Sequence, residues 1–334
     1  MDKPLYLALG AFVFSFVLQL IVIYLSHKYN FFIDSHKENK PQGFHDFATP
    51  RAGGIGIFIG ILAILLTPLG WKLILSALLA FMSGIFEDFH NSLSPKLRLL
   101  LQLIAAATAV WFMDAVVTYL GLGITMPYFV GVIFSLFAIV GMMNAINIID
   151  GFNGLASGVI LLILISFSTV AYGENNFEIL SIILIVMGAT FGFFILNFPK
   201  GKIFLGDGGA YMLGFIVAII GIFMASKYEN VSPWYVFAVF IYPVWEVIFS
   251  ILRKKSMGIS PMEPDTYHLH MLIYRQISKN NPLTSLVILL CILPSIVVST
   301  VYSNSSIYNI AISSIFIACY LILYRYLYKK DLDF

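Results

Sequence analysis

The chain has 334 residues and is too apolar to be a soluble protein. Hydrophobic residues make up 60% of it, aromatic residues 16% and charged residues 11%, with a formal net charge of +2, and the mean hydropathy is +0.93. A soluble globular domain carries about 25% charged residues, so the composition excludes that class and indicates an integral membrane protein.

Eleven apolar segments are long enough to be membrane-spanning helices, because about 30 Å of hydrocarbon takes roughly 20 apolar residues to cross. No small-residue cleavage site follows the first segment, so we interpret it as a retained helix and not as a signal peptide. We predict an all-α polytopic membrane protein that forms a single membrane-embedded domain over residues 1–334. The predicted spans are 5–26, 52–70, 71–86, 97–113, 127–146, 154–172, 178–198, 209–226, 233–252, 283–302 and 306–326.

The orientation follows from the placement of lysine and arginine. With eleven spans, 16 of the 19 basic residues fall in one set of loops, and the other set holds Lys3, Lys72 and Lys227. The positive-inside rule then predicts an outer N-terminus and a cytoplasmic C-terminus. The cytoplasmic loops expected to build an active site are 27–51, 86–97, 146–154, 199–209 and 253–282.

An acidic pair ends the third predicted span. Glu87 and Asp88 stand there, and Lys96 and Arg98 begin the next helix. Adjacent carboxylates beside basic residues can bind a divalent cation and a phosphate together, because Mg²⁺ prefers carboxylate and phosphate oxygens. The alternative is that these charges only mark the membrane interface and extend into water.

Asn147, Asp150 and Asn153 interrupt a long apolar stretch. Their spacing of three places them on one face of a helix, and the neighbouring Gly151 lets a ligand approach the backbone closely. Acidic residues in membrane segments are costly and are functional by default, so we predict a ligand site. The alternative is a polar helix-packing cluster with a glycine turn.

Asp207 lies in the segment LGDGG, just before the eighth predicted span. A carboxylate flanked by glycines at a helix N-terminus can hold a metal and leaves backbone N–H groups free for an anion. The alternative is a helix N-cap, a common use of aspartate.

Two histidines, His268 and His270, lie in the last large cytoplasmic loop, with Arg275 beyond them. Spacing of this kind is weak support for a metal site, because the other ligands of zinc-type sites are missing. Histidine and arginine can instead bind phosphate or polarise a leaving group. The alternative is that all three are solvated loop residues.

Taken in chain order, these motifs resemble the polyprenyl-phosphate N-acetylhexosamine-1-phosphate transferases, glycosyltransferase family 4. The resemblance covers almost the whole chain and is closest to the WecA/TagO branch, with MraY a more distant relative. The matching segments are HDFATPRAGG, GIFEDFHNSLSPKLRLLLQ, NAINIIDGFNGLASG, FLGDGGAYMLG and DTYHLHMLIYR.

The resemblance implies that polyprenyl phosphate attacks the β-phosphate of a UDP-N-acetylhexosamine, with UDP-GlcNAc the default donor, giving a polyprenyl-pyrophosphate-sugar and UMP. This would be the first membrane step of a cell-envelope glycan such as O-antigen or teichoic acid. The implied cofactor is Mg²⁺, with Mn²⁺ as a substitute. The implied setting is the bacterial inner membrane, with the active site facing the cytoplasm, no nucleic-acid partner, and a homodimer left open.

Carried over by position, the resemblance implies a role for residues in every motif. Catalytic roles fall to Glu87, Asp88, Asp150, Asp207 and His268, and the metal ligands are Asp207 and Asp88. Substrate-binding roles fall to His45, Arg51, Lys96, Arg98, Asn147, Gly151, Asn153, His270 and Arg275.

Two departures from the family pattern bear on activity. Glu87 stands where the family usually has aspartate, and Met271 follows His270 where many relatives have another histidine. The missing triple-histidine pattern of MraY argues against a MurNAc-pentapeptide donor, although QuiNAc, FucNAc, GalNAc and MurNAc-pentapeptide all stay as alternative sugars. A membrane transporter is the alternative from another class, disfavoured because the motifs cluster at one interface and no inverted repeat is visible. A scaffold that has lost catalysis is suggested by Glu87 alone.

Overall fold

The structure, a computed structural model, describes residues 2–29, 32–34, 49–90, 93–260, 263 and 265–332. Two short antiparallel strands, β1 (Ile33–Asp34) and β2 (Thr49–Pro50), accompany a chain that is otherwise helical. The helices are α1 (Asp2–Tyr29), α2 (Gly53–Ile61), α3 (Gly70–His90), α4 (Pro95–Met113), α5 (Tyr128–Ile149), α6 (Leu155–Gly173), α7 (Phe177–Asn197), α8 (Gly206–Lys227), α9 (Pro233–Val239), α10 (Ile241–Ser256), α11 (Leu269–Ile273), α12 (Asn281–Val301) and α13 (Ser306–Leu332).

Each predicted apolar segment is helical, which confirms the all-α polytopic class. The count of spans differs, however. Among the described residues, nine helices are long and apolar enough to cross a membrane, and a tenth is reached if α9 and α10 form one span. The segment predicted over 52–70 is the short α2, continued by a 3₁₀ segment over Leu62–Leu66. The orientation of the termini stays a prediction.

Helix α8 forms the centre of the bundle, with α2, α3, α5 and α6 packed around it. Of its most apolar stretch, 89% is buried inside the protein, against 17% for α1 and for α13 at the periphery. The end of α3 approaches the start of α8 very closely, since a Cβ on Gly84 would lie 2.4 Å from the backbone of Asp207. This contact requires glycine and brings two of the predicted acidic motifs together.

Polar contacts lie on two opposite faces of the bundle. On one face, the end of α3 meets the start of α8 through Asp88 and Asp207. On the other face, Lys227 at the end of α8 donates to Asp114, which follows α4, at 2.7 Å. We call the face that carries Asp207 the site face. The alternation of helix ends agrees with the segregation of loops that the sequence predicts.

A sharp bend separates α9 from α10, whose axes differ by 76°. The bend directs α10 toward α5 and α13. Glu246, Ser250 and Arg253 on α10 are spaced by four and three residues, so they share one helical face. That face meets the loop that carries the predicted histidines.

Candidate active site

Residues from four of the five matching segments converge on the site face. Arg51 precedes α2, Asp88 ends α3 and Arg98 lies in the first turns of α4. Ion pairs, hydrogen bonds or close electrostatic contacts link each member to at least one other. We call the group the carboxylate cluster, made of Arg51, Glu87, Asp88, Arg98, Asn147, Asp150 and Asp207.

Asp88 caps the N-terminus of α8. Its Oδ1 accepts from the backbone N–H of Asp207 at 2.9 Å and its Oδ2 from that of Gly208 at 3.0 Å. Gly206 has φ +76°, and a Cβ there would lie 2.7 Å from Asp88 Oδ2. The prediction that this helix start has N–H groups free for an anion is therefore wrong at these two positions. By accepting hydrogen bonds from both N–H groups, Asp88 fixes the position of Asp207.

Asp207 stands at the middle of the cluster. Its Oδ1 accepts from Asn147 Nδ2 at 3.0 Å. Arg51 and Arg98 approach its two oxygens at 3.6 Å each, beyond hydrogen-bond distance, and its side chain is 18% exposed. Two positive charges thus face the two oxygens of this carboxylate.

Glu87 retains hydrogen-bonding capacity. Its Oε1 lies 3.9 Å from Arg98 Nη1, and its Oε2 is buried with no hydrogen-bond partner among the described residues. An unpartnered buried carboxylate oxygen is costly, so it marks a position where a cation or a donor would be stabilised. Lys96 is exposed at the start of α4, and in the described part of the chain no contact ties it to the cluster.

Asp150 follows the last residue of α5 and faces the same cluster. Desolvation raises the pKa of its carboxyl well above the usual value; the charge of Arg51 opposes this, while the Asp207 and Asp88 carboxylates add to it. Gly151 lies next to the predicted histidines, since a Cβ there would be 3.9 Å from His270 Nε2. The turn at 150–151 therefore links the cluster to the histidine-bearing loop.

Asn153 makes structural contacts. Its backbone N–H donates to Asn281 Oδ1 at 2.7 Å and its Nδ2 to Pro199 O at 3.1 Å, and the side chain is buried. The prediction that it shares a helical face with Asn147 and Asp150 is wrong, because α5 ends at Ile149. Asn153 ties the loop after α5 to α12 and to the loop after α7, and its substrate-binding role stays a prediction.

The histidine loop, residues 265–278, begins at a buried ion pair. Asp265 Oδ2 accepts from Ser250 Oγ at 2.6 Å and from Arg253 Nη2, and its Oδ1 accepts from the Tyr267 N–H at 2.9 Å. Burial alone would disfavour the charged carboxyl, but these hydrogen bonds and the charges of His268 and Arg253 hold the pKa of Asp265 below its usual range. Asp265 therefore anchors the loop to α10.

His268 is held by a carboxylate that the motif analysis missed. Glu246 Oε1 accepts from the Leu269 N–H at 2.9 Å and lies 3.0 Å from His268 Nδ1. Its Oε2 accepts from Tyr320 Oη at 2.9 Å. The signal was present in the sequence, because Glu246 is a lone acid inside the apolar run PVWEVIFSI, and such acids are functional by default.

His270 is fully buried. Desolvation lowers its pKa to about 3, so the ring is neutral at physiological pH. Its ring lies parallel to that of His268 with centroids 5.3 Å apart, and Nδ1 is 3.4 Å from Tyr242 Oη. Nε2 has no hydrogen-bond partner among the described residues and lies beside Gly151. His270 thus presents an open nitrogen to the turn that carries Asp150.

Arg275 is directed away from the carboxylate cluster. Its Nε and Nη2 donate to the two oxygens of Asp331 on α13, at 3.1 Å and 2.9 Å, and its Nη1 donates to Thr266 O at 3.1 Å. The guanidinium also stacks over the Tyr267 ring. The structure gives Arg275 a role in clamping the loop to α13, and its predicted contact with substrate stays untested. His45, also a predicted substrate-binding residue, lies outside the described residues.

The cluster fits a metal that a substrate helps to hold. Within the described ranges, no three His, Cys, Asp or Glu side chains converge closely enough to bind a metal by themselves. Mg²⁺ usually keeps several waters and takes one or two carboxylates plus substrate phosphates. Arg98 lies near Asp207 Oδ2 and Glu87 Oε1, and Glu87 Oε2 has no partner among the described residues, so these two carboxylates meet that requirement. Asp88, in contrast, already uses both oxygens to cap α8.

Comparisons with known proteins agree on one family. The model of glycosyl transferase family 4 matches residues 71–225, a range that contains Glu87, Asp88, Asp150 and Asp207. A phospho-N-acetylmuramoyl-pentapeptide-transferase of Streptococcus agalactiae serotype Ia is 30% identical over 239 residues, covering 66% of this chain and 67% of that protein.

Two further relatives carry a different sugar in their names. A probable undecaprenyl-phosphate N-acetylglucosaminyl 1-phosphate transferase of Bacillus subtilis is 28% identical over 293 residues, which cover 81% of this chain and 78% of that protein. An undecaprenyl-phosphate alpha-N-acetylglucosaminyl 1-phosphate transferase of Thermotoga maritima is 29% identical over 246 residues, covering 73% and 74%. All three relatives are transferases of sugar phosphates, and the chain belongs to glycosyl transferase family 4.

Proposed function

We propose that this protein transfers N-acetylhexosamine-1-phosphate, with GlcNAc-1-phosphate as the first candidate, from a UDP-sugar to polyprenyl phosphate. The products would be a polyprenyl-pyrophosphate-sugar and UMP, as the first membrane step of a cell-envelope glycan such as O-antigen or teichoic acid. The observation that carries the proposal is the position of Asp207. Its carboxylate faces Arg51, Arg98 and Asn147 at the start of the central helix, inside the region that matches the family.

The reaction is a phosphoryl transfer. An oxygen of the lipid phosphate bonds to the β-phosphorus of the UDP-sugar, while the bond from that phosphorus to the oxygen bridging to the α-phosphate breaks and UMP leaves. Such reactions are accelerated mainly by positioning and by neutralising charge. Arg51 and Arg98 supply two positive charges within 3.6 Å of Asp207, where a pyrophosphate could replace their weak pairing with the carboxylate.

We further propose Mg²⁺ as the cofactor, with Mn²⁺ as a substitute. Asp207 and Glu87 Oε2 are the oxygens that would hold it, because the first is partly exposed and the second has no partner among the described residues. When bound, the ion would neutralise phosphate charge. Asp88 would act through the backbone by holding Asp207 at the start of α8.

The position of the cluster suits a lipid acceptor. It lies at the ends of long apolar helices, where a phosphate head can meet a polar site while its chain stays among exposed apolar side chains. UDP-sugars are water-soluble nucleotides of the cytoplasm, so we place the site face on the cytoplasmic side of a bacterial inner membrane. The basic residues predicted on that face support this orientation.

The donor sugar is a separate question. The names of the relatives include both N-acetylglucosaminyl and N-acetylmuramoyl-pentapeptide. We place GlcNAc first because the chain lacks the triple-histidine pattern that would accompany the larger MurNAc-pentapeptide donor, since Met271 follows His270.

Purified protein with undecaprenyl phosphate, Mg²⁺ and a panel of donors tests the function. The panel is UDP-GlcNAc, UDP-GalNAc, UDP-QuiNAc, UDP-FucNAc and UDP-MurNAc-pentapeptide, assayed for UMP and for lipid-linked sugar. We expect both products with at least one donor, fastest with UDP-GlcNAc, and none when EDTA removes the metal. Absence of UMP with every donor would refute the proposal. Uptake of a UDP-sugar into proteoliposomes without UMP formation would favour a transporter instead.

A further inference from the structure

Glu246 is an acid in the bundle interior. Its side chain is 1% exposed, and it lies on α10, two turns before the basic residues that end this helix. Isolating a carboxylate from water is costly unless donors compensate it, so the role of Glu246 must be sought in its partners. All three of its hydrogen-bond partners lie on the histidine loop or on α13.

The three contacts determine how His268 is protonated. The Leu269 N–H and Tyr320 Oη donate to Glu246, which suits a carboxylate that acts only as an acceptor. The Nδ1 of His268, 3.0 Å from Glu246 Oε1, must then carry the proton. Nε2 lies 3.7 Å from Asp265 Oδ2, an oxygen that also accepts from Ser250 and Arg253, so the ring is held between two carboxylates.

The backbone around His268 is fixed on both sides. Leu269 is tied to Glu246, and the carbonyl of Tyr267 accepts from Tyr324 Oη at 3.1 Å. Tyr320 and Tyr324 are one turn apart on α13, so one stripe of that helix supports both the carboxylate and the loop. This frame holds the imidazole in one orientation and one tautomer.

The orientation of His268 extends to the carboxylate cluster. Its ring stacks in parallel on that of His270, whose open Nε2 lies beside Gly151. Gly151 directly follows Asp150, a member of the cluster. A change in the orientation of the His268 ring would therefore alter the contacts of His270 and of the turn at 150–151, which lies next to the proposed substrate phosphates.

We propose that Glu246 is a positioning residue for sugar-1-phosphate transfer: it fixes the Nδ1–H form of His268 and the ring orientation that stacks on His270, beside the carboxylate cluster. The proposal rests on the proposed function. A carboxylate behind a working histidine sets its tautomer and orientation, and loss of such an outer partner typically costs 10- to 100-fold in activity.

Glu246→Gln tests the proposal, because glutamine keeps the shape of the side chain and removes its charge. We expect kcat to fall by about 10- to 100-fold with KM for both substrates within about threefold. Glu246→Asp should restore part of kcat. The matched control is Glu178→Gln, which alters a carboxylate bonded to a backbone N–H on the opposite face and should leave kcat and KM unchanged.

A double-mutant cycle with His268→Ala separates positioning from packing. If Glu246 acts through His268, Glu246→Gln should have no further effect on kcat in the His268→Ala background. An equal loss of kcat in both backgrounds, or a wild-type kcat in Glu246→Gln, would overturn the proposal. If Glu246→Gln does not fold, the same comparison with Glu246→Asp decides. Wild-type protein that turns over no donor would instead refute the proposed function.

Discussion

The site face contains two polar regions that are built differently. In the carboxylate cluster, Arg98 stands 3.6 Å from Asp207 and 3.9 Å from Glu87, and Glu87 Oε2 has no hydrogen-bond partner among the described residues. In the histidine loop, hydrogen bonds of 2.6 to 3.0 Å to Asp265 and Glu246 hold the loop. The first region therefore contains an unpartnered carboxylate oxygen, whereas in the second region all four oxygens of the two carboxylates accept hydrogen bonds.

This difference separates a binding region from a supporting one. Buried charges without close partners are unfavourable and persist where a ligand completes them. Buried charges with full partners stabilise one geometry of a loop. On this interpretation the phosphates and the metal belong to the carboxylate cluster, whereas the histidine loop supplies two oriented rings at its edge. Loss of charge in the cluster should therefore affect mainly catalysis, whereas loss of the Asp265 ion pair in the histidine loop should affect mainly stability.

The largest effect is expected for Asp207→Asn. The variant keeps the size of the side chain and can still accept from Asn147, but it lacks the charge that faces Arg51, Arg98 and the proposed metal. We expect kcat to fall by about 10³-fold or more, the scale for loss of a central electrostatic group. The apparent Tm should stay within a few degrees of the wild type, measured by thermal unfolding in the same detergent.

Asp114→Asn is the control for this variant. Asp114 pairs with Lys227 on the opposite face at 2.7 Å and is exposed, so its replacement removes an ion pair without touching the cluster. Near-normal kcat in Asp207→Asn would contradict the assignment of this carboxylate to the centre of the site.

A large effect on stability is expected for Asp265→Asn. Removing this charge leaves Arg253 buried without its counter-ion, which costs about 3 kcal/mol or more. The pKa of Asp265 is lowered in the fold, so its carboxylate stabilises the protein above the ordinary carboxyl pKa of about 4, and this stabilisation is lost as the pH falls through the lowered value. Asp265→Asn should therefore lower the apparent Tm at pH 7 by several degrees and weaken its dependence on pH in acid.

Ser250→Ala provides the graded comparison. It removes one hydrogen bond to Asp265 and keeps the ion pair, so we expect a loss of about 1 kcal/mol. Equal Tm values at pH 7 for the wild type and Asp265→Asn would show that the loop is not held by this pair, and the contrast between the two regions would fail.

The sequence alone predicted the long helices and the members of the carboxylate cluster, but not the residues that hold the histidine loop in place. Hydrophobic segments predicted the long helices, because each must be long enough to cross hydrocarbon, but they did not predict the short α11 or the bend between α9 and α10. The order of acidic motifs predicted the members of the cluster that the structure brings together, such as Asp88 and Asp207. Glu246 lies inside a predicted span, whereas the site residues were predicted from the polar motifs between spans. A lone acid in an apolar run is nevertheless itself a signal.

Two of the sequence predictions are wrong for reasons that the fold explains. The spacing of three predicts that Asn153 and Asn147 share one helical face, but the helix ends between them at Ile149. The spacing of polar residues alone does not reveal where a helix ends. The N–H groups at the start of α8 were expected to be free, but Asp88 fills two of them from 119 residues away along the chain. Contacts of that separation are set by packing and are not encoded in spacing.

A moderate effect is expected for Glu87→Asp, which places the family's usual residue at this position. Shortening the side chain withdraws the carboxylate from Arg98 and leaves the space around its buried oxygen unfilled. We expect kcat to fall by about 3- to 10-fold, which corresponds to about 1 kcal/mol in the barrier. A rise in kcat would show instead that glutamate had weakened catalysis here, as the hypothesis of a scaffold with lost activity requires.

The smallest effect is expected at the ion pair between Arg275 and Asp331, and it tests whether the loop's outer edge belongs to the supporting region. Asp331→Asn keeps Arg275 free to contact a substrate, whereas Arg275→Gln removes that option, and both break the bidentate bond. If Arg275 only clamps the loop to α13, the two variants should behave alike, each losing about 1 kcal/mol of stability or less and about threefold or less in kcat. If Arg275 contacts phosphate during turnover, Arg275→Gln should raise KM for the UDP-sugar well beyond the value for Asp331→Asn. Steady-state kinetics of the pair, with the donor concentration varied, distinguishes a clamp from a ligand because only Asp331→Asn keeps the guanidinium that could contact the substrate.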